Sequence, residues 1–481
     1  MDPKVACGLL FLTLFVLFLL QRQHQRNAVA RRRGCEPAVP HRPLEPFLGF
    51  DFQMKMYSQI PFLYKLHQKL GHTYQVPSLI SLPTICTIDP ENIRTINTSK
   101  DYGVEPQRLP GLGPFCGPGF ITIDGDVRKQ ARKLLKPSFD INNVRDLRTL
   151  RLETDKLLLE IPRKGDTVDL QPRLYVMFLN LALHFVLGIR PSLQQPDAPS
   201  TADEFVKAFH SALFYSMFRV VLGRAWNFLP QKKYNDARAA AHNYLDYHIN
   251  EALKSDHKQR NKSLIQGLSA QTEDLSFIRS QVIQAMMAAQ DTTSELLTNA
   301  LFVLARHPHY WEQLHAEFAN KSEEYISADN LLNSKLAINI LHETLRLYPI
   351  FPLLGRVALR DTILPVGGGP SHNCPIFVPK GSPVVMAYYA LHRNTSVFGD
   401  DIEAFRPERW NSVTPGHWEF MGFGNGDRAC LGQEKALIEA AYVLARLSRE
   451  FAKLESRDAR DWKGELKLTC KSAHGCKIAV Y

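Results

Sequence analysis

Apolar residues recur at helical spacing along much of the chain, from about residue 125 to residue 350. The best segment covers residues 277–304, where apolar positions three and four apart form one continuous face. Further helices are predicted over residues 336–347 and from just after Cys430 to about Phe451. This periodicity predicts a chain that is mainly α-helical.

Three short segments favour β-strands instead, at residues 356–363, 376–378 and 383–388. Polar stretches at 191–202 and 255–274 are typical of connections, and the sequence contains no internal repeat. We therefore expect a fold that is mostly α with a minor β-sheet, in a single catalytic domain over residues 49–481.

An uncharged apolar run occupies residues 5–20, slightly short of the roughly 17–25 residues of a membrane-spanning helix. The alternative is a secretory signal peptide, with Ala28-Val29-Ala30 as its cleavage site. Arg22 and Arg26 lie between the run and that site, where a signal peptide is normally uncharged. We therefore predict an uncleaved membrane anchor over residues 1–22.

Basic residues accumulate after the apolar run, whereas only Lys4 precedes it. The positive-inside rule then predicts a single-pass protein whose catalytic body is cytosolic. Prolines at high density predict a stiff linker, so residues 23–48 form a basic, Pro-rich linker. A cytosolic body leaves four N-x-S/T sequons without glycans, at Asn97, Asn261, Asn320 and Asn394.

Composition excludes the disordered and fibrous classes, because the chain is 45% hydrophobic and 22% charged. The net charge of +10 is diffuse apart from Arg31-Arg32-Arg33, so we expect no nucleic-acid partner. The 8 cysteines contain no C-x-x-C pair. They therefore predict neither a disulfide framework nor a zinc site, and they suit a reducing compartment.

Residues 423–432 read Phe-Gly-Asn-Gly-Asp-Arg-Ala-Cys-Leu-Gly, just before a predicted helix. A thiolate at Cys430 is a suitable axial ligand for haem iron, and a helix N-terminus stabilises its negative charge. Gly426 permits a tight turn, and Arg428 is placed to pair with a haem propionate. The alternative is a buried structural cysteine in a glycine-rich turn.

This loop fits F-x-x-G-x-R-x-C-x-G from Phe423 onward and resembles the haem-binding signature of the cytochrome P-450 family. The resemblance extends over almost the whole chain. It implies a haem-thiolate fold, haem b (heme b) with its iron on Cys430, and O2 as a substrate. It also implies electrons from NADPH through a membrane NADPH-cytochrome reductase, in the endoplasmic reticulum.

Two further motifs match the family. Glu343 and Arg346 share a helix face at i, i+3, and by resemblance they form a buried charge triad with Arg409 that has a structural role. The long helix carries Asp291 and Thr292, which in the family lie beside dioxygen and relay protons. Ala289 stands where the family usually has Gly, and a polar helix face is the alternative.

Two further arginines, Arg132 and Arg356, complete the predicted haem site. Arg132 matches the family's propionate-binding helix, in which Arg128 occupies the usual Trp position. Arg128 then either replaces the indole donor or points to solvent. Arg356 matches another propionate ligand, and its alternative is a surface arginine.

Residues 364–381 and 389–393 resemble the fungal alkane and fatty-acid hydroxylase branch. The resemblance also indicates substrate contacts, at Phe115, Phe120, Met286, Leu353 and Ala473. These residues are mostly apolar and suit a lipophilic small molecule. We expect hydroxylation or epoxidation in fungal secondary metabolism. The alternatives are fatty-acid or alkane hydroxylation in primary metabolism, an isomerase or dehydratase that needs no external oxygen, and a non-enzymatic membrane haem carrier.

Overall fold

The computed structural model describes residues 3–189, 199–254 and 263–481, and the chain divides into two compact units. Unit 1 comprises Met1–Gly103, Phe351–Gly399 and Pro415–Arg428. Unit 2 comprises Val104–Ile350, Asp400–Thr414 and Ala429–Tyr481. Each unit therefore gathers segments that are distant in the sequence.

Helices dominate the described residues, which confirms the mostly α prediction. In chain order they are α1 (Pro3–Arg32), α2 (Phe50–Ser58), α3 (Pro61–Leu70), α4 (Pro90–Thr98), α5 (Glu105–Cys116), α6 (Gly125–Leu135), α7 (Ile141–Val144), α8 (Arg148–Glu160), α9 (Leu170–Leu187), α10 (Ala202–Leu222), α11 (Lys232–Lys254), α12 (Leu264–Ser269), α13 (Leu275–Leu304), α14 (Pro308–Phe318), α15 (Ala328–Asn333), α16 (Lys335–Leu347), α17 (Tyr388–Leu391), α18 (Thr395–Phe398) and α19 (Gln433–Glu450).

The strands are short, as the minor β-sheet prediction requires. They are β1 (Val39–Pro40), β2 (Thr73–Val76), β3 (Thr84–Thr87), β4 (Tyr102–Gly103), β5 (Val168–Asp169), β6 (Leu354–Ala358), β7 (Thr362–Gly368), β8 (Cys374–Val378), β9 (Pro383–Met386), β10 (Leu454–Ser456), β11 (Gly464–Leu466), β12 (Cys470–Ser472) and β13 (Lys477–Val480). Unit 1 holds a six-stranded sheet, β1-β2-β3-β9-β6-β4, and the β7-β8 hairpin. Unit 2 holds a three-stranded sheet, β10-β13-β5, and the β11-β12 hairpin.

The three helices predicted most clearly lie close to their predicted bounds. Helix α13 begins after Asp274, whose carboxylate accepts a hydrogen bond from the backbone N–H of Phe277. Helix α16 begins after Ser334, whose hydroxyl caps it in the same way at Ala337. Both caps satisfy backbone donors that the first helical turn leaves free.

Some local predictions were wrong. The segment 356–363 forms parts of two strands, because the chain leaves β6 at Ala358 and enters β7 at Thr362. The segment 383–388 ends as a strand at Met386, and Tyr388 begins a helix. The predicted connection 255–274 contains α12, which Ser263 caps at the N–H of Gln266. Residues 190–198 and 255–262 lie outside the described part of the chain.

The core of unit 2 forms where α13 packs along α9. Helix α13 carries buried side chains on all faces over most of its length, which accounts for its unusual apolar content. Helix α9 is itself long and apolar, and half of its length is buried. In unit 1 the core lies on the six-stranded sheet and includes the buried side chains of Tyr74, Ile85 and Val384.

Two helices among the described residues are long and apolar enough to cross a membrane, α9 and α10. Packing in unit 2 explains the composition of α9. Only 22% of α10 is buried, and it exposes Phe214, Phe218 and Val221. Helix α1 covers the apolar run near the start of the sequence together with the basic residues after it.

Candidate active site

Cys430 lies three residues before α19, in unit 2, and carries a free thiol with an exposed side chain. Although the side chain is accessible to solvent, many protein atoms surround the sulfur, and this desolvation raises the pKa of the thiol. The Gly432 backbone N–H, which donates to the sulfur, and the nearby charge of Arg132 lower that pKa, but the net shift is upward. Burial thus favours the protonated thiol, whereas a bound cation such as iron would favour the thiolate.

These surroundings fit a thiolate ligand of haem iron. The sulfur is accessible, one backbone N–H points at it, and the guanidinium of Arg132 lies close enough to act on its charge. Arg132 lies in the last turn of α6 and is half-buried. The guanidinium of Arg132 is also suited to bind an anionic propionate of the haem.

The other part of the cysteine loop belongs to unit 1. Gly426 has φ +67°, and a Cβ at this position would meet the carbonyl oxygen of Asn97 at 3.2 Å and the ring of Trp418 at 3.1 Å. Glycine is therefore required both for the backbone angle and for the close approach to α4. Arg428 ends the 3₁₀ turn that Gly426 begins, and both Arg428 and Phe423 are half-buried.

Arg356 is buried in β6 of unit 1, so the surface alternative is wrong. Its Nη2 donates to Oδ1 of Asn97 at 3.2 Å, and Asn97 Nδ2 donates to the carbonyl oxygen of Ile93 at 2.8 Å. The side chain of Asn97, the first residue of a sequon, is therefore hydrogen-bonded inside unit 1.

Arg128 is only 5% exposed, which excludes the solvent-facing alternative for that residue as well.

Asp291 and Thr292 lie in the middle of α13, which remains a regular helix through both residues. The Thr292 hydroxyl donates to the carbonyl oxygen of Ala288 at 3.0 Å. The Asp291 carboxylate lies 3.4 Å from the ammonium of Lys471. Both side chains are half-buried. Each can therefore contact groups outside α13 as well as its own helix.

The residues that surround Asp291 were not predictable from the sequence. Lys471, on β12, lies between Asp291 and Glu295, with its Nζ 3.8 Å from Oε1 of Glu295. Gln171 of α9 donates to Glu295 Oε2 at 3.2 Å. Burial raises the pKa of Glu295 to about 7, although Lys471 and Gln171 lower it. The i, i+4 spacing of the two carboxylates was visible in the sequence, whereas the position of Lys471 was not.

A second polar group lies beside this one in unit 2. Tyr175 of α9 and His210 of α10 form a hydrogen bond of 2.8 Å between the phenol oxygen and Nε2. The side-chain amide of Gln290, next to Asp291 in the chain, contacts both. Burial lowers the pKa of His210, so the ring is neutral near pH 7.

The structure brings Glu343, Arg346 and Arg409 together at the centre of unit 2. Arg346 donates to the Glu343 carboxylate through Nε at 2.9 Å and Nη2 at 2.8 Å. Arg409 donates through Nε at 3.3 Å, and Trp410 donates through its indole N–H at 3.0 Å. The charged side chains of all three triad residues have no solvent exposure.

Replacement of Glu343 by Gln should destabilise the enzyme by about 3–5 kcal/mol, because it removes the carboxylate that the buried guanidinium of Arg346 binds. Arg409 keeps its second ion pair, with Asp401 at 2.7 Å. The midpoint of thermal or urea unfolding measures this loss. Glu251→Gln is the matched control, since Glu251 forms the same i, i+3 pair with Lys254 on an exposed surface, where the cost is about 0–1 kcal/mol. Equal effects of the two changes would contradict a structural role for the triad.

The proposed substrate residues have different surroundings. In unit 2, Phe115 packs edge-on against Phe209 at 5.4 Å, and Met286 is buried in the same core. Phe120 is half-buried, and its backbone N–H donates to Gln281 of α13. Ala473 is exposed after β12.

Leu353 belongs to unit 1, where it is half-buried against the core. Substrate contact at all five residues stays a prediction.

Comparison with known proteins identifies the class of enzyme. Residues 39–469 match the sequence model of the cytochrome P-450 family, and the chain belongs to this family. It is 33% identical to cytochrome P-450 monooxygenase FPY7 of Fusarium mangiferae, over 94% of this chain and 91% of that protein.

Two further relatives agree with this assignment. Cytochrome P-450 monooxygenase himC of Aspergillus japonicus is 34% identical over 95% of this chain and 86% of its own length. Cytochrome P-450 52E2 of Candida apicola is 34% identical over 81% of this chain and 79% of its own length. The protein is a haem-thiolate monooxygenase, as the family resemblance predicted.

Proposed function

We propose that the enzyme inserts one oxygen atom from O2 into a C–H bond or olefin of a lipophilic small molecule in fungal secondary metabolism. The Asp291–Thr292 pair on α13 carries this proposal. An acid followed by an alcohol can move protons, and a monooxygenase must supply protons to reduce oxygen. An isomerase or dehydratase that takes oxygen from its own substrate has no such need.

Haem, when bound, supplies the activation of dioxygen, and its thiolate ligand favours cleavage of the O–O bond. Cys430 provides this thiolate, and the N–H of Gly432 stabilises the negative charge on its sulfur. Arg132, Arg356 and Arg428 are the residues that we expect to hold the two propionates, because guanidinium groups bind carboxylates with two parallel hydrogen bonds.

Protons reach the oxygen site through the chain's own side chains in this proposal. The Asp291 carboxylate accepts a proton from the solvent side, and the Thr292 hydroxyl passes a proton on. The Thr292 hydroxyl donates to the Ala288 carbonyl oxygen in the structure, so the Thr292 side chain must rotate away from the helix to act. Ala289, in place of the usual Gly, makes less room for this movement than the family pattern does.

Electrons come from NADPH through a membrane reductase in this proposal. The net charge of +10 suits an acidic redox partner, since complementary charges accelerate association. Relatives named as monooxygenases from Fusarium and Aspergillus support a role in fungal metabolism. Hydroxylation of fatty acids or alkanes is the second candidate, and the segments at residues 364–381 and 389–393 favour it.

The test uses the haem-loaded, full-length enzyme with a fungal NADPH reductase in membranes. Extracts from cells with and without the gene supply candidate substrates, and a series of fatty acids and alkanes is run in parallel. Incorporation of isotopically labelled oxygen from O2, dependent on NADPH, would support monooxygenation. Conversion without NADPH would indicate an isomerase or dehydratase, and haem binding without any conversion would indicate a carrier.

We further propose that α1 anchors the protein to the endoplasmic reticulum membrane, with the catalytic body in the cytosol. Deletion of residues 1–30 should shift much of the protein from the membrane pellet to the supernatant, because it removes the apolar run. The variant should still bind haem, since none of the proposed haem-binding residues lies in the deleted segment. Fractionation and the absorption spectrum measure the two outcomes.

Complete retention of the truncated protein would contradict the anchor as the main attachment. A variant that also carries Phe218→Ser and Val221→Ser tests the exposed face of α10, where these side chains are 45% and 77% exposed. Release only in this combined variant would show that α10 holds the protein at the membrane when α1 is absent.

A further inference from the structure

The side chains around Asp291 form a charged group that the proton relay alone does not explain. Asp291 and Glu295 are one helical turn apart on α13, so their carboxylates share a face. The single ammonium of Lys471 lies between them, 3.4 Å from Asp291 and 3.8 Å from Glu295. One ammonium group therefore forms ion pairs with two carboxylates.

The two carboxylates differ in their access to water. Glu295 is 1% exposed, whereas the side chains of Asp291 and Lys471 are 15% and 22% exposed. A buried carboxylate without a full partner is costly in free energy. Glu295 therefore either binds a proton or competes with Asp291 for Lys471.

We propose that Glu295 is a positioning residue that determines whether Lys471 holds or releases Asp291. This inference rests on the proposed relay through Asp291. When Glu295 is neutral, Lys471 pairs with Asp291 alone, and the ion pair restrains the Asp291 carboxylate that must move in the relay. When Glu295 is ionised, it attracts Lys471, and the Asp291 carboxylate is released for the relay.

The hairpin geometry allows Lys471 to move between its two partners. Lys471 lies in the middle of β12, whose register with β11 pairs it with Glu465. The backbone of Ser472, the next residue, accepts a hydrogen bond from Gln171, which also binds Glu295. The backbone at β12 is therefore held beside Glu295, while the long Lys471 side chain, whose ammonium also lies 4.8 Å from the centre of the Tyr175 ring, reaches both carboxylates.

Several other groups act on this pair and must be considered in any pH test. Tyr175 of α9 and Cys470 of β12 have pKa values that burial raises and that Glu295 raises further, so both are neutral near pH 7. His210 of α10 lies close enough for Asp291 and Lys471 to act on its charge. Among the described neighbours, His210 is thus the rival source of pH dependence.

The proposal predicts a rise in coupling, the product formed per NADPH consumed, as the pH passes about 7, where Glu295 ionises. Glu295→Gln should remove this rise and keep coupling several-fold below that of the wild type at pH 8. Lys471→Arg should retain the rise because it keeps the cation. His210→Asn should also retain the rise in coupling. Loss of the rise in that variant would show that His210 causes the pH dependence.

Lys471→Met offers a second route if Glu295→Gln does not fold, since Lys471 is partly exposed. Without the cation, coupling should no longer respond to the ionisation of Glu295, so Lys471→Met alone should lose the rise in coupling near pH 7. Lys467→Met is the matched control on the same hairpin, where Lys467 pairs with Glu465 at the surface. An equal effect of Lys467→Met would overturn the proposal.

A measurement independent of turnover uses infrared spectroscopy of the haem-loaded enzyme during a pH titration. A protonated buried carboxyl has its own band, which should disappear near pH 7 in the wild type and be absent from Glu295→Gln. Persistence of the band in the variant would overturn the proposal. If Asp291→Asn fails to lower coupling, the proposed relay itself is wrong. If Asp291→Asn lowers coupling but Glu295→Gln does not, only the inference about Glu295 is refuted.

Discussion

Replacement of Cys430 by Ser should abolish the red-shifted Soret band of the ferrous carbon monoxide complex together with all monooxygenase activity. Serine offers a hard, poorly ionised oxygen in place of the soft thiolate, and iron in haem binds it weakly. The loss should be complete, since no other residue of the cysteine loop carries a sulfur. The carbon monoxide difference spectrum of the purified protein measures this outcome.

Cys374→Ser is the control for this experiment. Cys374 also has a free, partly exposed thiol but lies in β8 of unit 1. We expect this variant to keep the spectrum and the activity of the wild type. A Cys430→Ser protein that retains the red-shifted band would show that another residue supplies the ligand.

The second large effect should follow from Asp291→Asn and Thr292→Ala. A relay of this kind typically contributes on the order of 10²–10⁴-fold to a rate, so product formation should fall by up to that amount. Both variants should keep the carbon monoxide spectrum, because the thiolate is unchanged. They should still consume NADPH but release hydrogen peroxide in place of product.

Two controls separate the relay from general damage to α13. Thr298→Ala removes another hydroxyl that bonds to a carbonyl four residues back, at 2.8 Å, in the same helix. Asp246→Asn removes a partly buried ion pair to α13, formed with Arg279. If the controls uncouple the enzyme as strongly as the relay variants, or if both relay variants remain fully coupled, Asp291 and Thr292 form only a polar helix face.

The difference between the two relay variants carries further information. Asp291 contacts Lys471, whereas the Thr292 hydroxyl is engaged with its own helix. We expect the methyl group of Ala289 to narrow the space in which the Thr292 hydroxyl turns, so Asp291→Asn should have the larger effect. A larger effect of Thr292→Ala would show that the missing Gly does not hinder the hydroxyl.

The sequence by itself determined the class of protein and the main helices. Helix α13 was predictable because its apolar positions recur at the helical period and Asp274 caps its first turn. The cysteine loop was recognisable because a thiolate ligand, a tight turn and a cation must follow one another within ten residues. Such information is local in the chain, so it can be read without knowledge of the fold.

Boundaries between short elements were less predictable. The break between β6 and β7, and the short helix α12, depend on which neighbours each segment packs against. Apolar runs of a few residues suit strands and helices equally well. The burial of Arg128 and Arg356, too, was open in the sequence, because an arginine is more often found at the surface.

Only the tertiary structure decided what surrounds Asp291. Lys471 lies on a hairpin near the end of the chain, and Gln171 lies on α9, yet both meet the carboxylates of α13. Contacts between residues so distant in sequence arise from the packing of whole elements. The same packing removes Glu295 from water and raises its pKa, since the energy of a charge depends on everything within several ångströms of it.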